Sequence, residues 1–341
     1  MSSTSVCLTP GFEYRAAARE GVLTVANPPP LVHGGSLEAM RIAWRLSGVA
    51  GGPVVAVLGG ISAHRQVDTS ADGEEGWWSA VVAPGGWLDT RSYRILSMDY
   101  LAGIGASSGP DDHCRDFPLV DTRDQAEALL RVMAHLDMDR LHALIGLSYG
   151  GQVALQFAAA HAEKLRHLIV YGAAARADAA ARAQRSIQRW IVQAGLDTGR
   201  GEAGVVLARE LAILGYCGEA ELQRWFGTAP EVHGHALRDP CNADLRAQGR
   251  AFAARCNAMR YLRLCQSCDL HAVDAVSLSV PASVIACRQD RLASVDSLRA
   301  LAADSKAELH EFDSAFGHDA FLREPERIGT LMRSALSGVD P

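Results

Sequence analysis

The sequence contains no apolar run near the eighteen or so residues that a membrane-spanning helix needs. It has no excess of positive charge either. Thirty-three lysines and arginines stand against 39 acidic residues, a net charge of −6, and no basic run is interleaved with aromatics. A nucleic-acid partner is therefore not expected, nor is a membrane. The opening segment, Met1 to Cys7, has neither the basic nor the apolar part of an export signal, which points to the cytoplasm. In that reducing compartment the eight scattered cysteines (7, 114, 217, 241, 256, 265, 268 and 287) are expected as free thiols. Cys265 and Cys268 have redox or zinc spacing, but no second pair accompanies them and no strand precedes them, so no metal site is expected. Internal repeats and low-complexity linkers are missing too. What remains is ordinary globular composition, and 341 residues suit one large domain with an insertion, or two domains.

The hydrophobic pattern organises around residues 141–157. Leu141 to Ile145 is a short apolar run of strand length, and Gln152 to Ala160 has apolar positions at helical spacing. Between them lies Gly146-Leu147-Ser148-Tyr149-Gly150, followed by Gly151. A strand that turns into a helix within about five residues strains its central residue and leaves no room for Cβ atoms around it. The serine is left at the tip, with a helix N-terminus behind it that favours an oxyanion. This is the nucleophile elbow of an α/β-hydrolase fold; the bland alternative is a glycine-rich turn whose serine only caps a helix.

The rest of the chain fits around that turn. Residues 1–30 read as irregular. Met40, Ile42, Trp44 and Leu46 alternate along a half-buried edge strand, and Val54–Leu58 is a continuous apolar strand buried on both faces. A strand over Tyr93–Met98, a helix over Thr122–His135 and a strand over Leu165–Tyr171 complete a mostly parallel sheet with helices on both faces. From about Ala177 to Ala275 the sequence shows helical periodicity and no strand, with helices near Ala175–Ala194, Leu207–Leu214, Ala220–Phe226 and Leu245–Leu264. Strand and helix then alternate again, ending in a helix over Glu324–Leu336. The expected organisation is a hydrolase core over 31–175, an inserted helical cap over 176–278, and the rest of the core over 279–339.

A serine nucleophile needs a base, and the base an orienting carboxylate, in the chain order Ser, Asp or Glu, His. Asp290 directly follows the strand Ser283–Arg288, and His318 lies just after the last strand and before the closing helix. Asp296, inside the following helix, and Asp313, at the strand end, are less well placed than Asp290. An oxyanion hole combines the backbone N–H of Tyr149 with one from the loop after Val54–Leu58, where Gly60 is preferred over Gly59 and Ile61.

These residues lie in a wider pattern. Gly76-Trp77-Trp78, Pro84-Gly85, Leu88-Asp89-Thr90, Ser108-Gly109-Pro110, Phe117-Pro118 and Arg123-Asp124-Gln125 precede the elbow. Leu207-Ala208-Arg209, Tyr261-Leu262, Asp269-Leu270, Asp290-Arg291-Leu292 and Gly317-His318-Asp319-Ala320-Phe321-Leu322 follow it. In this order, over most of its length, the chain resembles the homoserine O-acetyltransferases and O-succinyltransferases of the α/β-hydrolase superfamily. It departs from them in carrying Tyr149 where the family usually has methionine, in Leu58-Gly59-Gly60-Ile61-Ser62 and the Leu101–Ala106 loop, and in being shorter. The resemblance implies a Ser148–Asp290–His318 triad that moves an acyl group from acyl-CoA, as co-substrate with no other cofactor, to L-homoserine in methionine biosynthesis. It also implies that Arg209 and Asp319 hold the amino acid, and that two copies pair through the cap as a homodimer. An arginine two residues after the catalytic aspartate goes with succinyl donors in that family; Leu292 stands there, so acetyl is expected. The readings set against this one are a small-ester esterase or thioesterase, the same transferase with L-serine as acceptor, and a non-catalytic member, which the intact triad disfavours.

Overall fold

A computed structural model describes residues 18–111, 116–239 and 241–337. Cys7 and Cys114, and residues 338–339 at the end of the expected core, lie outside the described residues. The chain opens with two antiparallel strands, β1 (Ala18–Ala26) and β2 (Ala39–Gly48). The fully buried β3 (Val54–Leu58) follows, then the two-residue pair β4 (Val82–Ala83) and β5 (Leu88–Asp89), and β6 (Arg94–Met98). Helix α1 (Thr122–His135) starts at a capping box in which Asp121 and Asp124 reciprocally satisfy backbone N–H groups. Strand β7 (Ala143–Leu147), helix α2 (Tyr149–Ala160) and strand β8 (Leu168–Tyr171) close the first half.

Next come the helices α3 (Ala179–Asp197), α4 (Gly201–Tyr216) and α5 (Glu219–Phe226), the hairpin strands β9 (Glu231–His233) and β10 (Ala236–Arg238), and the helices α6 (Asn242–Ala253) and α7 (Ala258–Leu270). The core resumes with β11 (Ala282–Cys287), α8 (Val295–Ser305), β12 (Glu308–Phe312), the single turn α9 (Ala320–Arg323) and α10 (Pro325–Ser337).

Eight strands form one sheet in the order β1-β2-β6-β3-β7-β8-β11-β12, antiparallel only at β1–β2 and β2–β6. Apolar side chains alternate between its faces, so β3 feeds Ala56 to the layer under α1, α2 and α8, and Val55 and Val57 to the layer under α10. The cap has a core of its own, with Val192, Val205, Phe252 and Tyr261 packed around Ile104 from the loop after β6. It is tied to the sheet layer by polar bonds. His271 Nε2 donates to the Ala174 carbonyl (3.1 Å), which leaves Nδ1 to accept from the Thr122 hydroxyl (3.1 Å).

The structure corrects four expectations. Residues 18–26 form β1 instead of an irregular lead-in, so the core begins before Leu31; one face of that strand is solvated, and the alternation there is faint. β2 is consequently an inner strand. Its second face is buried because Arg45, only 4% exposed, pairs with Asp68 (3.1 Å) beneath the following loop. The cap does contain strands, β9 and β10, which turn at Gly234 (φ +64°) and are exposed throughout, so burial imposes no alternation on them. The single helix expected over Leu245–Leu264 is two, because Asn257 caps α7 by accepting from the Arg260 N–H (2.8 Å).

Candidate active site

The elbow is built by exclusion of side chains. A Cβ at Gly150 would lie 2.1 Å from the Leu58 carbonyl oxygen, and one at Gly146 would lie 2.4 Å from the Gly150 carbonyl oxygen. Strand β7 can therefore pass into α2 only with glycine at both places. Ser148 takes the strain, at φ +57° and ψ −120°, a backbone region that side-chain-bearing residues rarely adopt. Its side chain caps nothing, which sets aside the helix-cap reading.

Three residues from three loops meet at that turn. The Ser148 hydroxyl lies 2.7 Å from His318 Nε2, and His318 Nδ1 lies 2.6 Å from Asp290 Oδ2. An ionised carboxylate only accepts, so Nδ1 carries the proton and Nε2 faces the serine as a base. The other oxygen of Asp290 accepts from the N–H groups of Leu292 (2.8 Å) and Ala293 (3.0 Å), which fixes the carboxylate plane. Burial, with His318 only 3% exposed, opposes protonation of the imidazole. The Asp290 charge and hydrogen bond, with help from Asp319, outweigh that and raise its pKa above the ordinary 6.5. Gly317, at φ +55°, lets the chain reverse just before His318, and the Tyr171 hydroxyl lies 3.2 Å from the carbonyl oxygens of both. Asp296 binds Arg299 on α8, and exposed Asp313 binds Arg288 and Gln289, so neither rival reaches the histidine.

Opposite the serine lies Gly60, where an added Cβ would sit 3.8 Å from Ser148 Cβ. The Gly59 carbonyl is committed to the Gly150 N–H (2.9 Å) and the Tyr100 hydroxyl (2.6 Å), which holds this loop against the elbow. The N–H groups of Tyr149 and Gly60 have no acceptor among the described residues, as an oxyanion hole requires. The Tyr149 side chain points away, under the cap. Its hydroxyl lies 2.7 Å from Ser267 Oγ on α7 and accepts from Gln125 Nε2 (3.2 Å), so here the residue after the nucleophile ties elbow to cap.

Arg209 and Asp319 both lie near the histidine, Asp319 as its chain neighbour and Arg209 through Tyr216. The Arg209 guanidinium lies 4.9 Å from the ring centre of Tyr216 and 4.7 Å from that of Phe252, and donates to the Tyr216 hydroxyl (2.8 Å). Asp319 accepts no hydrogen bond and makes no ion pair among the described residues. Burial pushes its carboxyl above the ordinary carboxylate value, against the pull of the nearby His318, Arg209 and Arg323 charges. A half-buried anion and a half-buried cation that interact without forming an ion pair supply the two charges that a zwitterion needs. Sequence reasoning missed Tyr216, which stacks on the His318 ring at 6.1 Å and holds Arg209. Its position seven residues after Arg209, two turns along α4, was the available signal.

Leu292 lines the cavity at Ser148, together with Gln152, Cys268, Arg176 and Arg185. Arg291 instead lines a neighbouring cleft of about 620 Å³ between α3, α4 and α5. Cys265 and Cys268 are unpaired and buried one turn apart on α7; burial pushes the Cys268 thiol up to about 11, so both act as packing groups. Among the described residues no three metal-ligating side chains lie together, and no helix is long and apolar enough to cross a membrane.

Residues 71–325 match the alpha/beta hydrolase fold family. A homoserine O-succinyltransferase from Xanthomonas campestris pv. campestris is 37% identical over 310 residues, covering 90% of this chain and 81% of the relative. A homoserine O-acetyltransferase from Thermus thermophilus is 31% identical over 287 residues, 78% of this chain and 73% of that one. Among solved structures, a homoserine O-acetyltransferase from Bacillus anthracis superposes with a TM-score of 0.85 at 17% identity, covering 95% of this chain and 99% of its own. Esterase E22 gives 0.83 at 17%, over 94% of this chain and 100% of its own, so at this distance the likeness speaks for the fold alone.

Proposed function

The chain belongs to the homoserine O-acyltransferases of the α/β-hydrolase fold, and from that premise we propose that it acylates the side-chain hydroxyl of L-homoserine through an acyl-serine. The observation that carries this reading is the pair of unmatched charges, Arg209 and Asp319, beside the Ser148–His318 bond. A neutral ester has no use for them.

In the first half-reaction His318 Nε2 takes the proton of Ser148 as its oxygen attacks the thioester carbonyl of acyl-CoA. The N–H groups of Tyr149 and Gly60 receive the negative charge, and the sulfur leaves with the proton held on His318. Arg209 then binds the carboxylate of homoserine and Asp319 its ammonium, which brings the hydroxyl to His318. Deprotonated there, it takes the acyl group from Ser148. Water is an equally competent acceptor chemically, so transfer depends on the clamp placing the hydroxyl and on the cap covering the site. Serine is one methylene shorter, a difference worth about 1–3 kcal/mol, so it is the weaker acceptor in this reading.

For the donor, Leu292 by itself supports acetyl. The guanidinium of Arg185 in the same cavity and the succinyltransferase relative support succinyl, and we read the donor as succinyl-CoA. Six unpaired cysteines among the described residues support a cytoplasmic setting, and the reaction so drawn uses the protein's own groups and the co-substrate only. We also read the protein as a homodimer through α3, where Ile187 and Trp190, 72% exposed, stand one turn apart.

The test is CoA release with acetyl-CoA or succinyl-CoA, with and without homoserine or serine, and with Ser148→Ala as control. Homoserine-dependent release that Ser148→Ala abolishes is the expected result, with Asp319→Asn raising the homoserine KM by about 100-fold. Release that ignores the amino acid would turn the reading to a thioesterase, and cleavage of p-nitrophenyl acetate alone to an esterase.

A further inference from the structure

One wall of the Ser148 cavity carries a charge that the triad, the oxyanion donors and the amino-acid clamp do not use. Arg185 reaches it from α3; its side chain is 15% exposed, and its Nε donates to Asp269 Oδ1 at 2.6 Å. Arg189, one turn further along α3, binds the other oxygen of the same carboxylate. Two guanidiniums on one carboxylate leave a net positive charge. On Arg185 the Nη2 group is buried and has no hydrogen-bond acceptor among the described residues. A buried cationic N–H without a protein partner is costly unless something else in the cavity answers it.

The rest of the lining does not answer that charge. Asp178 is the one acidic side chain in the lining, and its oxygens accept from the Ser294 N–H (2.6 Å) and the Ser297 hydroxyl (2.6 Å). Arg176 is a second cation, exposed at the rim and therefore hydrated. Gln152 also lines the cavity, its Nε2 bonded to the Cys268 carbonyl (3.4 Å) and its Oε1 buried and unpartnered among the described residues. Much of the remaining lining is short and apolar, with Ala173, Ala177, Leu292 and Ala293. Ser148 and these cations line one narrow cavity, a lining with the chemistry that a short acyl chain ending in an anion needs.

We propose that Arg185 determines donor specificity by pairing with the distal carboxylate of a dicarboxylic acyl-CoA of succinyl size, an inference that rests on the acyl-serine reading above. The chemistry at the near end is unchanged: the Ser148 oxygen–carbon bond forms, the carbon–sulfur bond breaks, and the serine proton passes through His318 to the CoA sulfur. The distal carboxylate stays ionised and does not react. A methyl group in its place leaves Nη2 unanswered, and the acetyl donor loses that contact in both ground and transition states.

The experiment compares kcat/KM for succinyl-CoA and acetyl-CoA, both with saturating homoserine, in the wild type, Arg185→Met, Arg185→Lys and Arg189→Met. The bursts of p-nitrophenol from p-nitrophenyl hydrogen succinate and p-nitrophenyl acetate give a second readout that needs no CoA. Wild type should prefer the succinyl donor. Arg185→Met should lower the succinyl-to-acetyl ratio by about 100-fold, the range of a buried charge pair broken from one side, and Arg185→Lys should recover part of it. Arg189→Met disturbs the same carboxylate from outside the cavity and should move the ratio by no more than about threefold. Three results overturn the proposal: a wild type that prefers acetyl, an Arg185→Met enzyme in which both donors fall together, or an equal shift in Arg189→Met. If neither donor gives homoserine-dependent product, the transferase reading fails first. Homoserine-dependent acetyl transfer with no succinyl advantage defeats the succinyl donor and the role given to Arg185, and leaves the transferase reading standing.

Discussion

His318 must be neutral at Nε2 to accept the serine proton, while Asp290 and Asp319 both favour its protonated form. Its pKa in the free enzyme is raised, so activity is lost on the acid side sooner than an ordinary imidazole would allow. The acid limb of kcat/KM should therefore lie above pH 6.5; a limb well below 6.5 would mean that another group limits the rate. Replacing Asp290 by asparagine should lower kcat by about 10⁴-fold, because the wrong ring nitrogen then carries the proton. All three residues were legible in the sequence because each lies where a strand ends, and strand ends show as apolar runs that stop. Arg185 and Tyr216 were not. Each sits on a cap helix among other plausible surface residues, and only the packing of α3 and α4 over the sheet edge shows which of them turn inward.

At the scale of elements, cap and core meet through buried polar bonds as well as apolar contact, and His271 supplies an imidazole to them. Burial lowers its pKa to about 4, against the backbone bond to Ala174 and the Asp121 charge, which favour the proton. The unfolded chain binds that proton near 6.5, so between pH 6.5 and 4 the unfolded state holds more protons and stability falls with falling pH. The loss amounts to about 3 kcal/mol for this one group. Urea midpoints measured from pH 7 to 4 should drop steeply in the wild type and less in His271→Gln; parallel curves would remove His271 from the cause. The same elements show what patterning reveals. Helix α1 and strand β3 were read to the residue, since helical spacing of apolar residues and an unbroken apolar run are local signals. β1, β9 and β10 were missed because strands exposed on one or both faces lack the alternation that burial imposes.

Among the described residues the outer face of α3 is an exposed apolar surface, as is the cross-strand pair Val232 and Leu237 on β9 and β10, and α3 is the larger element. If two copies meet there, Trp190→Glu should yield monomers by sedimentation while Ser148 still reacts with p-nitrophenyl esters. A monomeric wild type at micromolar concentration would refute the dimer. The sequence displays the sheet, the elbow and the existence of a cap, because these follow from periodicity. How the cap sits depends on contacts such as Tyr149 to Ser267, 118 residues apart, which no local pattern encodes. Chain order adds a consequence for the protein's birth. The nucleophile precedes its base by 170 residues, and Trp78 waits 243 residues for the Phe321 carbonyl that its indole N–H binds at 2.9 Å. A nascent chain paused anywhere in the cap already has its bent serine but no histidine to arm it, and β8 has no β11 beside it. Reactivity is thus withheld until the last strands are threaded in. A ribosome that stops early releases an inert chain with a bare sheet edge, a ready substrate for quality control.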